Sequence, residues 1–397
     1  MRLLTAIALI VSTLSTIVYY FLVYDKHIDY RIKLIDLMMQ TYFAACGVTV
    51  PYIGFSRKCL NYLEKKEPLT AFNSTRGVRT LDYKIPFGVP LSVYQDEKIK
   101  PHDVHIRLFE PNQTKKQHCQ DDKLPVMILI HGGGFALGSA FSRSYDELGG
   151  FFAARAHIKV ISVEYRLAPE YPFPSSIYDC WSVYSWLVST YNKNINIDDP
   201  EVASFLKNID YDRILVGGDS AGAGLSAALA LTSATGLIYD KHLDRLPALA
   251  KPIQYQILIY PPSTSDQTES KIKNSRGYIL NDKMIKFFTD AYVGDSGVDD
   301  EKHHQRGYFN VASLSNQKGV PDAMVITATF DPLLDDGRIL AERLNQTGAD
   351  VVYREYSSIH GFYTMTFLDV AQEAREFTID TMREKRVVGD IKCYTSN

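Results

Sequence analysis

Short apolar runs alternate with amphipathic stretches from about residue 100 to the C-terminus. The runs typical of buried strands are Val104–Phe109, Val126–Ile130, Val160–Val163, Ile214–Val216, Ile253–Tyr260, Ala323–Thr329 and Val351–Tyr356. The stretches typical of helices are Asp146–Ala156, Ser176–Tyr191, Ala221–Ala234, Asp336–Asn345 and Val370–Lys385. Continuously apolar strands that alternate with helices predict an α/β fold, with a mostly parallel central sheet and helices on both of its faces.

Two parts of the chain depart from this alternation. Residues 25–100 show strand alternation only at Thr80–Ile85, and they are predicted to form an N-terminal cap or entrance region before a main domain of residues 101–397. The aromatic stretch Asn281–Val293 predicts one more helix within an insertion near residues 262–310. Because ligands bind beyond the carboxyl ends of the strands in such sheets, we expect this insertion to form a helical cap over the site.

The first 24 residues differ from the rest of the chain. Leu3–Val23 contains no charged residue, and as a helix it would span about 30 Å, the thickness of a bilayer core. A cleaved signal peptide has a shorter apolar run ending in small residues, whereas this run ends in aromatics such as Tyr20 and Phe21. Residues 1–24 are therefore predicted to be an uncleaved signal-anchor transmembrane helix, with a cleaved signal or a buried core helix as the alternatives.

The overall composition is typical of a globular protein and argues against some classes of binding partner. Of 397 residues, 46% are hydrophobic and 22% are charged, and the net charge of −3 argues against nucleic-acid binding. The five cysteines match no zinc-binding spacing, and their odd number leaves at least one outside any intramolecular disulfide. Their pairing stays open, and they are Cys46, Cys59, Cys119, Cys180 and Cys393.

The stretch Gly218–Gly222 reads Gly-Asp-Ser-Ala-Gly and lies where a predicted strand meets a predicted helix. Glycine is common in turns, and the pattern also arises by chance. In a nucleophile elbow, the serine occupies a tight strand-to-helix turn whose neighbours must be small, because helix and backbone approach closely there. The apolar strand before the motif and the Ala/Leu-rich helix after it favour Ser220 as a nucleophile.

A serine nucleophile in acyl transfer needs backbone donors for the oxyanion. The predicted strand that ends at Ile130 is followed by His-Gly-Gly-Gly at 131–134. Consecutive glycines are also typical of a flexible turn. Their N–H groups can nevertheless point into one site, as in the HGGG loop of lipases and esterases. The candidate donors are the N–H groups of Gly132, Gly133 and Gly134, together with that of Ala221.

The general base is assigned by elimination. In the elbow fold the order along the chain is serine, acid, histidine. Of the histidines after Ser220, His303 and His304 lie in a charged segment typical of solvated surface, and His242 comes too early to leave room for an acid-bearing strand. His360 follows the last predicted strand, where a loop would carry it over the strand ends. His360 is therefore the predicted base.

The acid is expected between these two residues, at the end of a strand. Ala323–Phe330 leads directly into Asp331. Asp335 and Asp336 follow closely, but they open a predicted helix, where aspartate commonly caps or interacts with the helix dipole. Asp331 is the favoured acid and Asp335 the alternative.

These parts together predict acyl transfer to water through an acyl-enzyme, a chemistry that requires no metal or cofactor. A catalytically silent protein of the same fold, acting as a binding or receptor module, is the alternative, although such a protein is expected to have lost a residue of the set. A membrane scaffold is a third reading, which rests only on the apolar N-terminus.

Five motifs resemble the hormone-sensitive lipase group of α/β-hydrolases. They begin at His131, Val163, Gly218, Asp331 and His360, and read HGGGF, VEYRLAPEYPFP, GDSAG, DPLLD and HGF. The resemblance implies an α/β-hydrolase fold, a triad of Ser220, Asp331 and His360, and oxyanion donors in the glycine loop and at Ala221. It also implies that His131 supports that loop.

Within this group, the apolar N-terminus is similar to that of membrane-anchored enzymes resembling arylacetamide deacetylase and neutral cholesterol ester hydrolase. This resemblance implies lipophilic ester or amide substrates and a type II protein of the endoplasmic reticulum membrane with a lumenal, glycosylated domain. The Lys/Arg distribution around the apolar run mildly favours the opposite orientation. The acceptor sequons, about as many as chance gives, are at Asn73, Asn112 and Asn345.

Overall fold

A computed structural model describes residues 30, 31, 33, 77–85, 102–112, 123–192, 195–235, 251–293 and 319–388. The strands are β1 (Val78–Ile85), β2 (Val104–Pro111), β3 (Leu124–Ile130), β4 (Lys159–Glu164), β5 (Ile209–Asp219), β6 (Tyr255–Ile259), β7 (Asp322–Ala328) and β8 (Val351–Tyr356). The helices are α1 (Arg143–Ala156), α2 (Ser175–Tyr191), α3 (Pro200–Leu206), α4 (Ala221–Thr235), α5 (Glu269–Lys273), α6 (Asp282–Val293), α7 (Leu334–Gln346) and α8 (Asp369–Glu384), with a 3₁₀ turn at Phe362–Thr364.

The eight strands form one sheet in the order β1-β2-β4-β3-β5-β6-β7-β8. The pairs β1/β2 and β2/β4 are antiparallel, and all pairs from β4 through β8 are parallel. The predicted mostly parallel sheet is therefore confirmed. Because β3, β5, β7 and β8 are parallel, the loops that follow them emerge at the same edge of the sheet, and these loops carry the candidate site residues.

Helices cover both faces of the sheet, as predicted. Alternate side chains of the central strands point to opposite faces: Val126 and Ile128 of β3 pack in one cluster with α2 and α4, whereas Met127 and Leu129 pack in another with α1 and α8. A third cluster joins α4 and α7 over β6 and β7. Since each central strand is buried on both sides, its sequence reads as a continuous apolar run rather than as an alternation.

The segments predicted as strands and helices are confirmed, but two short helices were not predicted. In α3, Asp199 caps the first turn by accepting the N–H groups of Glu201 and Val202. In α5, the Thr268 side chain accepts the N–H of Lys271. Each helix has seven residues or fewer, too short to display a 3.6-residue apolar period, and so only its capping residue marks it in the sequence.

The N-terminal part of the chain is described only in pieces. The predicted signal anchor at residues 1–24 and the apolar stretch Ile32–Phe55 lie, apart from residue 33, outside the described residues. Among the helices the structure does describe, none combines the length and the apolar character that crossing a membrane requires. Arg31 donates a hydrogen bond to the carbonyl of Phe367 (2.7 Å), just before α8. Strand β1 falls within the predicted entrance region and is one of the two edge strands of the central sheet.

Candidate active site

Ser220 stands alone between β5 and α4, in a turn that strains the backbone. Its φ is +52°, a left-handed conformation that is uncommon for a residue with a side chain. Two backbone bonds hold it there: the Ser220 N–H donates to the carbonyl of Ile259 (2.9 Å), and the Ser220 carbonyl accepts the N–H of Gly224 (3.1 Å). Ser220 thus leaves the sheet edge in the turn predicted for a nucleophile elbow.

The flanking glycines are required by close backbone approach. A Cβ at Gly218 would lie 2.2 Å from the carbonyl oxygen of Ile130, and one at Gly222 would lie 2.1 Å from the same atom. Both distances are far inside van der Waals contact, so any larger residue would push α4 away from β3. The spacing of the two glycines around Ser220 therefore follows from the packing of this turn against β3.

Ser220, His360 and Asp331 come together in one hydrogen-bonded line. The Nε2 atom of His360 lies 2.8 Å from Ser220 Oγ, and its Nδ1 atom lies 2.7 Å from an Asp331 carboxylate oxygen. A carboxylate only accepts hydrogen bonds, so Nδ1 carries the hydrogen and Nε2 is left to accept the serine proton. Asp331 is fully buried and His360 is 6% exposed, which shields this line from water.

The loop after β7 fixes Asp331. Its second carboxylate oxygen accepts the N–H of Leu333 (2.8 Å), and its carbonyl accepts a hydrogen bond from the side chain of Asn274 (3.0 Å). Asp335, the alternative acid, instead accepts the N–H of Ser270 at the start of α5 (2.7 Å). The geometry therefore joins Asp331, and not Asp335, to His360.

Of the two roles expected for Asp335 and Asp336, interaction with the dipole of their own helix fits their place in its first turn, whereas capping does not. Helix α7 begins at Leu334, and no side chain caps it. Asp336 is fully buried and accepts the N–H groups of Ser263 (3.1 Å) and Thr264 (3.2 Å). It also pairs with Lys271 Nζ at 3.0 Å. Burial raises the pKa of the Asp336 carboxyl to about 6, while Lys271 opposes that rise. These contacts tie α5 to α7.

The glycine loop after β3 is a tight turn, and its Gly134 lines the same cavity as Ser220. Gly133 has φ +116° and Gly134 has φ +59°, conformations that favour glycine. The Gly133 carbonyl accepts the N–H groups of Ala136 and Leu137, which closes the turn. Within the described residues, nothing accepts from the N–H of Gly133 or Gly134. As the first residue of α4, Ala221 has an N–H with no intrahelical partner.

Gly132 departs from its predicted role. Its N–H donates to Tyr145 Oη at 2.5 Å and is therefore not available to an oxyanion. The structure leaves Gly133, Gly134 and Ala221 as candidate donors. The sequence offered no sign of this difference, because Tyr145 lies in α1 and meets the loop only in the folded chain.

His131 supports the loop from beneath. Its side chain is fully buried, its Nδ1 lies 2.8 Å from the Gly132 carbonyl, and its ring stacks on Tyr165 at 4.1 Å between centroids. Burial lowers the pKa of His131 to about 4, so at neutral pH the ring is uncharged and Nδ1 donates to the carbonyl. The Tyr165 hydroxyl donates to the His131 carbonyl (2.9 Å). His131 thus lies where the resemblance implied.

A cavity of about 320 Å³ opens at Ser220. Its walls include the apolar side chains Phe135, Leu280, Ile285, Phe288 and Val293, three of them on α6. Phe288 lies directly over the glycine loop, since a Cβ at Gly134 would be 2.3 Å from its ring. Helix α6 is the aromatic helix that the sequence predicted beside the strand ends. The last part of the predicted insertion, residues 294–310, lies outside the described residues.

Three buried side chains that sequence reasoning missed form a hydrogen-bonded group centred on Asp219, the residue before Ser220. Asp219 accepts hydrogen bonds from Tyr145 Oη (2.6 Å) and Tyr260 Oη (3.2 Å). The Tyr260 ring lies 4.6 Å from the His360 ring. Burial raises the pKa of both tyrosines well above the ordinary value, so both phenols stay protonated and donate. The acidic residue before the serine was the available signal, but its partners are distant in the chain.

Comparison with known proteins agrees with this fold. Residues 127–364 match the α/β hydrolase fold family. The chain is 32% identical over 279 residues to carboxylesterase NlhH of Mycobacterium tuberculosis, covering 70% of this chain and 76% of that protein. It is 33% identical over 291 residues to tuliposide A-converting enzyme 1 of Tulipa gesneriana, covering 72% and 68% of the two chains. A hyperthermophilic esterase from Pyrobaculum calidifontis superposes with a TM-score of 0.64 at 25% identity, covering 89% and 98%.

The chain therefore belongs to the α/β-hydrolase family. Its enzyme class is that of the serine carboxylesterase-type hydrolases, in agreement with the fold and with esterases among its relatives. This result confirms the fold and the class of enzyme that the five motifs implied.

Proposed function

We propose that this protein is a membrane-anchored serine esterase in which Ser220 is the nucleophile, His360 the general base and Asp331 the residue that orients the base. The observation that carries the proposal is the line of two short contacts, 2.8 Å from Ser220 Oγ to His360 Nε2 and 2.7 Å from His360 Nδ1 to Asp331. Both lie within hydrogen-bond reach, which a serine–histidine pair needs for proton transfer.

Acylation follows from this line. Ser220 Oγ attacks the ester carbonyl carbon as its proton moves to His360 Nε2. The resulting oxyanion accepts hydrogen bonds from the N–H groups of Gly133, Gly134 and Ala221. The intermediate then collapses: the bond to the alcohol oxygen breaks, and His360 gives its proton to that oxygen. Asp331 stabilises the imidazolium and keeps the hydrogen on Nδ1 throughout.

Deacylation repeats the steps with water. His360 takes a proton from a water molecule that attacks the acyl carbon, and a second oxyanion forms in the same place. Its collapse breaks the bond to Ser220 Oγ, which recovers the proton from His360, and the carboxylic acid leaves. The donors act in both halves of the reaction because both oxyanions occupy one position.

The cavity supports a preference for neutral, lipophilic esters. Its apolar walls stand next to Ser220, and the two lysines that line it are already paired, Lys271 with Asp336 at 3.0 Å and Lys286 with Asp290 at 2.9 Å. An anionic acyl chain would lose its hydration without gaining an unpaired cation. Relatives named as carboxylesterase and esterase are consistent with ester substrates. The resemblance of the N-terminus to membrane-anchored enzymes of the group adds lipid esters and acetamides as proposed substrates.

A pair of esters of equal length tests this preference. We expect kcat/KM for p-nitrophenyl butyrate to exceed that for p-nitrophenyl hemisuccinate by at least about a hundredfold, because desolvating the unpaired carboxylate costs several kcal/mol. The leaving group is the same in both, so the ratio reports the acyl site alone. Equal values of kcat/KM for the two esters would contradict the proposed preference.

We further propose that the chain is a type II protein of the endoplasmic reticulum membrane with a lumenal, N-glycosylated catalytic domain. The uncharged run Leu3–Val23 and the resemblance of the N-terminus support this location. Asn112 and Asn345 are exposed, as glycosylation requires, and Asn73 lies outside the described residues. The weak Lys/Arg bias argues in the other direction.

Protease protection tests the orientation. In intact microsomes from cells that express the full chain, the catalytic domain is expected to resist protease until detergent is added, because the bilayer shields the lumen. Enzymatic removal of N-glycans is expected to increase its mobility. Replacement of all three sequon asparagines by glutamine is the control and abolishes that shift. Digestion without detergent, together with unchanged mobility, would place the domain in the cytosol.

A further inference from the structure

A continuous hydrogen-bonded chain joins the glycine loop to the nucleophile turn. The Gly132 N–H donates to Tyr145 Oη at 2.5 Å, and that hydroxyl donates to an Asp219 carboxylate oxygen at 2.6 Å. Asp219 directly precedes Ser220 in the chain. The side chain of Tyr145 therefore fixes the position of the loop relative to the serine, although it comes from α1, on another part of the fold.

All three groups are buried, so none of them can exchange its partner for water at low cost. Tyr145 is 7% exposed and Asp219 is 5% exposed. The contact is also tight, since a Cβ at Gly132 would lie 2.8 Å from the second Asp219 oxygen and 3.0 Å from Tyr145 Oη. A buried N–H that loses its acceptor destabilises the arrangement that leaves it unpaired, because no water replaces the lost bond. The direction of the Gly132 peptide is thus strongly determined by Tyr145.

The second oxygen of Asp219 faces the histidine side of the site. It accepts a hydrogen bond from Tyr260 Oη at 3.2 Å, and the Tyr260 ring packs against His360 at 4.6 Å between centroids. One carboxylate therefore has contacts toward the glycine loop through Tyr145 and toward the base through Tyr260. Neither tyrosine lines the cavity at Ser220, so the network acts from behind the site.

We propose that Tyr145 and Asp219 are positioning residues that aim the N–H groups of Gly133 and Gly134 at the oxyanion. The Gly132 peptide precedes both donors, and its orientation sets theirs. The proposal rests on the proposed role of Ser220. Because an oxyanion exists only in the intermediate and its flanking transition states, a loop released from Tyr145 would lower kcat much more than it would raise KM.

The test is Tyr145→Phe, with Tyr255→Phe as the matched control. Tyr255 is equally buried, and within the described part of the chain its hydroxyl has no hydrogen-bond partner. Each change removes one buried hydroxyl. Tyr145→Phe is expected to lower kcat on p-nitrophenyl butyrate by about tenfold to a hundredfold, below the 10²–10³ lost with an entire oxyanion donor. KM should stay within about twofold, and the control should match wild type.

Inhibitor binding separates positioning from a merely structural role. Ser220 Oγ adds to the carbonyl carbon of an alkyl trifluoromethyl ketone while its proton moves to His360, and the resulting hemiketal oxyanion needs the loop donors. The secondary alcohol of the same skeleton fills the cavity without forming an oxyanion. In Tyr145→Phe the ketone should bind about tenfold to a hundredfold more weakly than in wild type, a loss that matches the loss of kcat. The alcohol should bind to the variant as tightly as to wild type. An equal change for both ligands, or none for either, would overturn the proposal.

Two variants of Asp219 keep the proposal testable if Tyr145→Phe does not fold. Asp219→Asn retains an oxygen that can accept from Tyr145 and should keep kcat within about fivefold of wild type, whereas Asp219→Ala should lose about as much as Tyr145→Phe. Equal losses in the two variants would contradict the hydrogen-bond account. Labelling of the wild type by a fluorophosphonate separates the proposed function from this inference. If Ser220 is not labelled, the proposed function is refuted. If Ser220 is labelled but the Tyr145 and Asp219 variants keep the kcat of wild type, only this inference is refuted.

Discussion

Replacing Ser220 with alanine is expected to lower ester hydrolysis by about 10⁶, because the serine, histidine and acid of such a site act as one unit. Without Oγ there is no nucleophile for the acyl group, and His360 can only assist water. The residual rate would come from the oxyanion donors and from substrate binding. The fold should persist, since the Ser220 backbone bonds to Ile259 and Gly224 do not involve the side chain.

Ser226→Ala is the matched control for this variant. Ser226 is a buried serine on α4, and its hydroxyl donates to the carbonyl of Gly222 at 2.8 Å, within the helix. Its loss is expected to change turnover by no more than about twofold, because a serine hydroxyl that bonds a carbonyl of its own helix contributes little to the stability of that helix. Initial rates on p-nitrophenyl butyrate, corrected for purified protein, measure both. Retention of more than about a tenth of wild-type activity in Ser220→Ala would rule out the assignment.

Replacing Asp331 with asparagine is expected to lower kcat by about 10⁴, the loss that the corresponding change causes in a serine protease. The amide nitrogen of asparagine would donate where the carboxylate accepts, so His360 would adopt the tautomer with its hydrogen on Nε2. That tautomer cannot take the proton of Ser220. The variant also lacks the negative charge of Asp331, which stabilises the imidazolium.

Asp335→Asn separates this effect from a general disturbance of the loop. Asp335 accepts the N–H of Ser270 and pairs with the half-exposed Arg338 at 3.3 Å, and it does not contact His360. The asparagine amide oxygen can still accept the Ser270 N–H, so we expect a loss of stability of no more than about 1 kcal/mol, from the half-exposed ion pair, and nearly unchanged kcat. Urea unfolding and steady-state kinetics on both variants make the comparison. A large kcat loss in Asp335→Asn with little in Asp331→Asn would transfer the acid role.

The parallel sheet and the candidate triad could be predicted from the sequence because both leave local signals. Continuous apolar runs report burial on two faces, and the glycines around Ser220 report a backbone packing so close that a Cβ there would lie 2.1–2.2 Å from a carbonyl oxygen. The acid and the histidine each follow a strand that is recognisable by itself. Their convergence then needs only the rule that parallel strands end at one edge of the sheet.

What could not be predicted depends on partners that are distant in the chain. The sequence predicts Gly132 as an oxyanion donor, but in the structure Tyr145, 13 residues away on α1, accepts its N–H. Asp336 reads as a helix cap, but it is buried against Lys271, 65 residues earlier. Asp219 joins Tyr145 and Tyr260 across 74 and 41 residues. Polar contacts of this kind leave no periodicity, since they are set by tertiary packing rather than by the local chain.

Active-site labelling tests the role of Ser220 most directly. The purified protein would be treated with an alkyl fluorophosphonate, which loses fluoride as Ser220 Oγ bonds to phosphorus, and then examined by intact-mass and peptide mass spectrometry. The account predicts one adduct per chain, located on Ser220 and absent from the Ser220→Ala variant. An unmodified protein, or an adduct on another residue that persists in Ser220→Ala, would contradict it.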